Sequence, residues 1–173
     1  MIVSATFTDF SVSTVLALFW EKRGPWVIAC LIGLGVYWRG ESFFEAAAQN
    51  KWHLDALYAS VFNLAAAASA FLFAFYTYVR TAEGNILREI RASHVFRRAS
   101  KYMIWTIFNA AVLAVASVPF VVAVPEPHRA TERWYLAIVI WAAFSAYVFA
   151  AIARSAYHFT AIMEAAYGER LDG

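Results

Sequence analysis

The chain has 173 residues, of which 62 % are apolar, 18 % aromatic and 15 % charged, with a formal net charge of +2. Soluble domains carry about 45–50 % apolar and about 25 % charged residues, and a small soluble chain lacks the interior to hide the excess. The composition excludes an ordinary soluble domain and makes lipid the natural solvent.

The first predicted element is a helix over residues 8–23. Thr8 or Asp9 can cap it, and Val12, Val15, Leu16, Phe19 and Trp20 follow helical spacing. Glu21-Lys22-Arg23 and then Gly24-Pro25 are expected to end it and start the next helix. Its basic residues follow the apolar part, the reverse of a secretory signal, and no lipidation box is read at either end. It reads as an amphipathic helix lying in the membrane interface, with packing on the bundle as the competing reading.

Four apolar segments follow: 25–38, 54–79, 102–124 and 134–153. They are too long for strands and lack a period of two, and each helix satisfies its own backbone groups in lipid. The first is short of the ~20 residues a crossing needs, so it must tilt, thin the bilayer or recruit its flanks. If it is instead re-entrant, three crossings remain. It carries the lone cysteine, Cys30, which excludes an intrachain disulfide, a CxxC redox pair and a cysteine-based zinc site. Trp26, Tyr37, Trp38, Trp52, Tyr76, Tyr78, Tyr102, Trp105, Trp134 and Tyr135 sit near the segment ends, where amphipathic rings prefer the headgroup level.

Charge orients the segments. Of the fourteen Lys and Arg residues, only Arg39, Lys51, Arg129 and Arg133 fall on one side. The rest, with the loop 80–101 foremost, fall on the other, which the positive-inside rule makes cytoplasmic. The expected architecture is an all-α integral membrane protein with four transmembrane helices plus the N-terminal interfacial helix, N-in and C-in.

Small residues are dense inside the segments. Ala110, Ala114 and Ser117 share one helix face, as do Ala142, Ala146 and Ala150, and such faces let helices approach closely. Asn63 and Asn109 are the most polar side chains well inside segments. Their depths differ by about 10 Å, so each is expected to bond a backbone carbonyl, a hydroxyl or its own copy in an oligomer. Pro119 is expected to kink its helix. Asn63, Asn109, Ser117 and Pro119 are therefore candidates for helix packing or for lining a pore. No charged residue lies mid-segment, which argues against coupled transport.

The last segment is expected to continue past the membrane, because 154–168 contains no proline. Arg154 and His158 are then i,i+4 neighbours on a cytoplasmic tail, 154–173.

Little chemistry is encoded. His53, His94, His128 and His158 fall at segment ends or in loops, so no haem or metal site is expected. Arg88 and His94 form an Arg-x5-His pair, a spacing that resembles the signature of the HEPN ribonucleases over these seven residues. The resemblance would imply a metal-independent RNase, but six residues along a helix set the pair about 120° apart. Nucleophile motifs, phosphate loops and paired carboxylates are absent from the sequence.

The basic loop is the remaining candidate. Gly84-Asn85 reads as a helix stop and new cap, with Ser93 marking a bend before the third segment. Arg88, Arg91, His94, Arg97, Arg98 and Lys101, with Arg154 and His158, are expected to meet anionic headgroups or an acidic cytoplasmic partner. The expected protein is a non-enzymatic, homo-oligomeric subunit of a bacterial inner membrane, without cofactor or nucleic-acid partner, that anchors or regulates a cytoplasmic protein. A small oligomeric pore is the alternative. Both designs occur among bacterial antiviral defence proteins, an analogy of architecture alone.

Overall fold

A computed structural model of the chain describes residues 12–50, 53–81, 88, 91–92, 94–123 and 132–168. Four helices account for nearly all of them: α1 (Val12–Gln49), α2 (Leu54–Thr81), α3 (His94–Ala123) and α4 (Glu132–Gly168). No strand occurs among the described residues. Leu54–Thr81, Phe96–Ala123 and Trp134–Thr160 are each long and apolar enough to cross a bilayer, which marks a membrane protein. The apolar stretch of α1 is shorter, and α1 is not among these three.

The expected break at Gly24-Pro25 does not occur. One helix runs from Val12 to Gln49 with Pro25 inside it. Proline removes one backbone donor, but a helix packed on its neighbour tolerates it: Gly24 and Pro25 are buried, and the Trp26 ring lies 4.7 Å from that of Tyr147 on α4. The separate helix 8–23 is therefore corrected to the first part of α1 from Val12 onward. Its expected cap, Thr8 or Asp9, lies outside the described residues. The segment 25–38 likewise extends to Gln49, since Glu and Ala in 41–49 favour helix while its two glutamates interrupt the apolar run.

The helices pack as an open row. α1 lies against α4, α4 against α3, and α3 against α2, while α2 meets α4 only sparingly. Small side chains make the close approaches. At Gly33 an added Cβ would lie 3.0 Å from the Ala143 Cβ, so α1 and α4 nearly touch there. Ala110 and Ala114 are buried in the core with Ala65 of α2. The Ala142, Ala146 and Ala150 face is half-buried.

Hydroxyls link the helices where lipid could not satisfy them. Ser69 donates to the Ile107 carbonyl at 3.2 Å. Tyr135 shares its proton between the Val36 and Tyr37 carbonyls, each at 3.0 Å. Thr106 donates to the Tyr102 carbonyl at 2.8 Å, so in its 3.0 Å contact with Ser155 the serine must donate. Tyr58, Phe120 and Trp141 form an aromatic cluster, with centroids 5.2 to 5.7 Å apart.

The long last helix is as expected. α4 continues through Arg154 and His158 to Gly168, a span of about 55 Å at 1.5 Å per residue.

Candidate functional site

The C-terminus of α2, the N-terminus of α3 and the distal half of α4 come together at one end of the row. This is the basic end. The last carbonyls of α2 have no helical partner, and Arg91 reaches back to one: its Nη1 donates to the Arg80 carbonyl at 2.6 Å. Arg80 itself lies over the Tyr76 ring, 5.7 Å from the centroid. Arg91 thus caps the end of α2.

The first turns of α3 separate two faces. Phe96, Ala99 and Met103 are buried, whereas Arg97, Arg98 and Lys101 are exposed. That is the amphipathic pattern of a helix entering a bundle from a polar phase. Arg88 is exposed before it.

Arg154 and His158 play a different part. The Arg154 guanidinium lies 4.4 Å from the Tyr102 ring centroid. The His158 ring is nearly parallel to the same ring, at 11° and 5.9 Å. Both side chains are half-buried between α3 and α4. Both contacts join α3 to α4 beside the Thr106–Ser155 bond. Tyr102 is the residue that sequence reasoning missed, since it read only as one aromatic of the membrane belt. The i,i+4 spacing of Arg154 and His158 was the available signal, because such a pair can grip one facing ring.

The sequence-expected residues therefore separate into three groups. Arg88, Arg97, Arg98 and Lys101 are each exposed near the basic end. Arg91, Arg154 and His158 hold the helices that carry it. His94 begins α3, and its side chain lies outside the described part, as do Ile86, Leu87, Ile90 and Ser93. The Arg-x5-His pair thus gains no geometry. No three His, Cys, Asp or Glu side chains cluster as a metal site among the described residues.

The packing and pore candidates also separate. Ser117 is buried, accepts the Trp141 indole N–H at 2.9 Å and donates to the Leu113 carbonyl at 2.8 Å. Asn109 donates to the Trp105 carbonyl at 2.7 Å, as expected of a lone amide in lipid. Pro119 lies inside α3 on an exposed face. Asn63 is exposed on α2, and no hydrogen bond joins it to Asn109. Ser60, Asn63, Ala67, Ala70, Ala74 and Thr77 are all exposed on α2, alternately three and four residues apart.

Compared with known protein families, curated proteins and solved structures, the chain matches none of them.

Proposed function

We propose that the protein is a non-enzymatic, oligomeric subunit of a bacterial inner membrane that anchors or regulates a cytoplasmic protein. It crosses four times, with α1 as the first crossing and both chain ends in the cytoplasm. The observation that carries this reading is the exposed basic surface of Arg88, Arg97, Arg98 and Lys101 on a scaffold braced by Arg91 and by the Arg154–Tyr102–His158 contact. A surface of one charge sign on a rigid support favours an acidic partner and speeds its encounter. Antiviral defence, where small four-span proteins sit beside cytosolic effectors, is the setting this architecture suggests.

The test is co-purification from the native host. A soluble acidic protein should accompany the wild type. Joint reversal of Arg88, Arg97 and Lys101 to Glu should release it while leaving the thermal transition in detergent unchanged. Retention of the same partner by the reversed protein would refute the proposal.

A second reading, a small oligomeric pore, is supported by Asn63. A polar amide on an outward, small-residue face is what a ring of identical helices around water would use. Conductance in reconstituted bilayers, lost in Asn63→Leu, would favour the pore over the anchor.

A further inference from the structure

The opposite end of the row holds a cleft. α1 and α2 are joined by a short connection, yet each packs mainly on another helix, which leaves a gap between them. The gap is a cavity of about 300 Å³ lined by Gly35, Val36, Arg39 and Gly40 of α1, Leu57 and Tyr58 of α2, and Ile138, Trp141 and Ala142 of α4. Glycine makes the room: a Cβ added at Gly35 would meet nothing within 4 Å. Such a volume lies at the lower end of ordinary ligand pockets.

Three features select an occupant. The wall is apolar, and Arg39 is the one charged residue among those lining it. Tyr58 is 1 % exposed, and its hydroxyl makes no hydrogen bond to any of the described residues. A buried hydroxyl without a partner is costly and calls for an acceptor or donor from elsewhere. Exposed Tyr37 and Trp38 immediately precede Arg39, and such rings mark the headgroup level of a bilayer. Gly35 lies about 6 Å deeper along α1 than Arg39.

We propose that this cleft binds a phospholipid of the bilayer leaflet opposite the basic end. Its phosphate pairs with the Arg39 guanidinium, whose fork suits a phosphodiester. A small outward shift of the Tyr58 ring on binding brings its hydroxyl, sealed within the wall, to an ester carbonyl of the glycerol. The upper part of one acyl chain lies against Val36, Leu57, Ile138 and Ala142. The site is at the other end of the molecule from the basic surface and does not depend on a cytoplasmic partner.

Native mass spectrometry of the full chain, released from mild detergent and titrated with phosphatidylglycerol, tests this. The wild type should retain a phospholipid adduct. Gly35→Leu should abolish it, since the new side chain fills the cleft without a clash and leucine favours helix over glycine. Arg39→Ala should weaken it about ten-fold, the loss expected for one charge-assisted contact. An unchanged thermal transition identifies each variant as folded. If Gly35→Leu does not fold, Arg39→Ala decides alone. Equal retention by the wild type and the folded variants overturns the proposal. So does an adduct lost in Arg97→Ala or Arg98→Ala but kept in Gly35→Leu, which would place the lipid at the basic end. Competition by a free fatty acid as strong as by phospholipid overturns it too, because no phosphate would then be recognised.

Discussion

Trp141 on α4 donates its indole N–H to the Ser117 hydroxyl on α3, and Ser117 donates onward to the Leu113 carbonyl. One small side chain therefore satisfies a large buried donor and has its own proton bound. Interhelical hydrogen bonds in membrane proteins couple by about 0.6 kcal/mol on average and about 1.7 kcal/mol at most. Ser117→Ala leaves the indole without its acceptor and should destabilise by about 1–2 kcal/mol. A double-mutant cycle with Trp141→Phe, read by denaturant titration in micelles, should return a favourable coupling in the membrane-protein range. A coupling of zero would mean that the indole finds another acceptor.

Gly33 sets the distance between α1 and α4. A methyl there would meet the Ala143 methyl at 3.0 Å, so the helices must move apart or deform. Gly33→Leu should cost about 1–3 kcal/mol as overpacking, more than offsetting the better helix propensity of leucine. Gly35→Leu, two residues away in open space, should cost little. The contrast is measurable as a lower thermal transition for the first variant alone. Ala143→Gly should partly rescue Gly33→Ala, and failure to do so would show that the contact is not limiting.

These two glycines also show what the sequence could and could not convey. The apolar runs 54–79, 102–124 and 134–153 set the cores of α2, α3 and α4, because lipid demands continuous apolarity and helix demands no more. Proline weighed locally favours a break at Gly24-Pro25, whereas both residues are buried within α1 where it packs on α4. Composition could not tell Gly33 from Gly35: one lies against α4 and the other faces a cleft. Among the candidate site residues, the charge of the basic end was legible. The division between outward Arg97 and bracing Arg154 was not, since it depends on where Tyr102 lies.

Arg91 and Arg97 should behave differently despite lying six residues apart with the same charge. Arg91 binds the Arg80 carbonyl, so Arg91→Ala frees the end of α2. Faster proteolysis within 80–93 is expected, with a stability loss of about 1 kcal/mol for this exposed bond. Arg97→Ala touches no backbone end and should leave both readouts unchanged while weakening an acidic partner. Equal proteolysis of the two variants would remove Arg91 from its bracing role.

The proposed topology assigns opposite sides to the two ends of α2. With Cys30 replaced by Ala, single cysteines at Arg98 and at Asn50 give a direct comparison. A membrane-impermeant maleimide applied to intact spheroplasts should label the Asn50 position and spare the Arg98 position until the membrane is opened. Labelling of both from outside would refute the assignment made from the arginine bias.

Asn63 tests self-association. Its amide lies on the outward face of α2, aligned with Ser60, Ala67, Ala70, Ala74 and Thr77 at heptad spacing. Small residues at that spacing let two helices approach closely, and an amide is complementary to itself, with a donor and an acceptor on one group. A single polar residue in such a seam fixes which copies pair and in what register. Asn63→Leu keeps the volume and the helix but removes the self-complementary contact, so the oligomer should loosen while the fold stays intact. Photobleaching steps of labelled protein at low density in bilayers should fall from several to one. Asn63→Gln, with the same chemistry on a longer arm, should keep part of the association. An unchanged step distribution in Asn63→Leu would exclude this face as the subunit contact, and with it the ring of amides on which the pore reading rests.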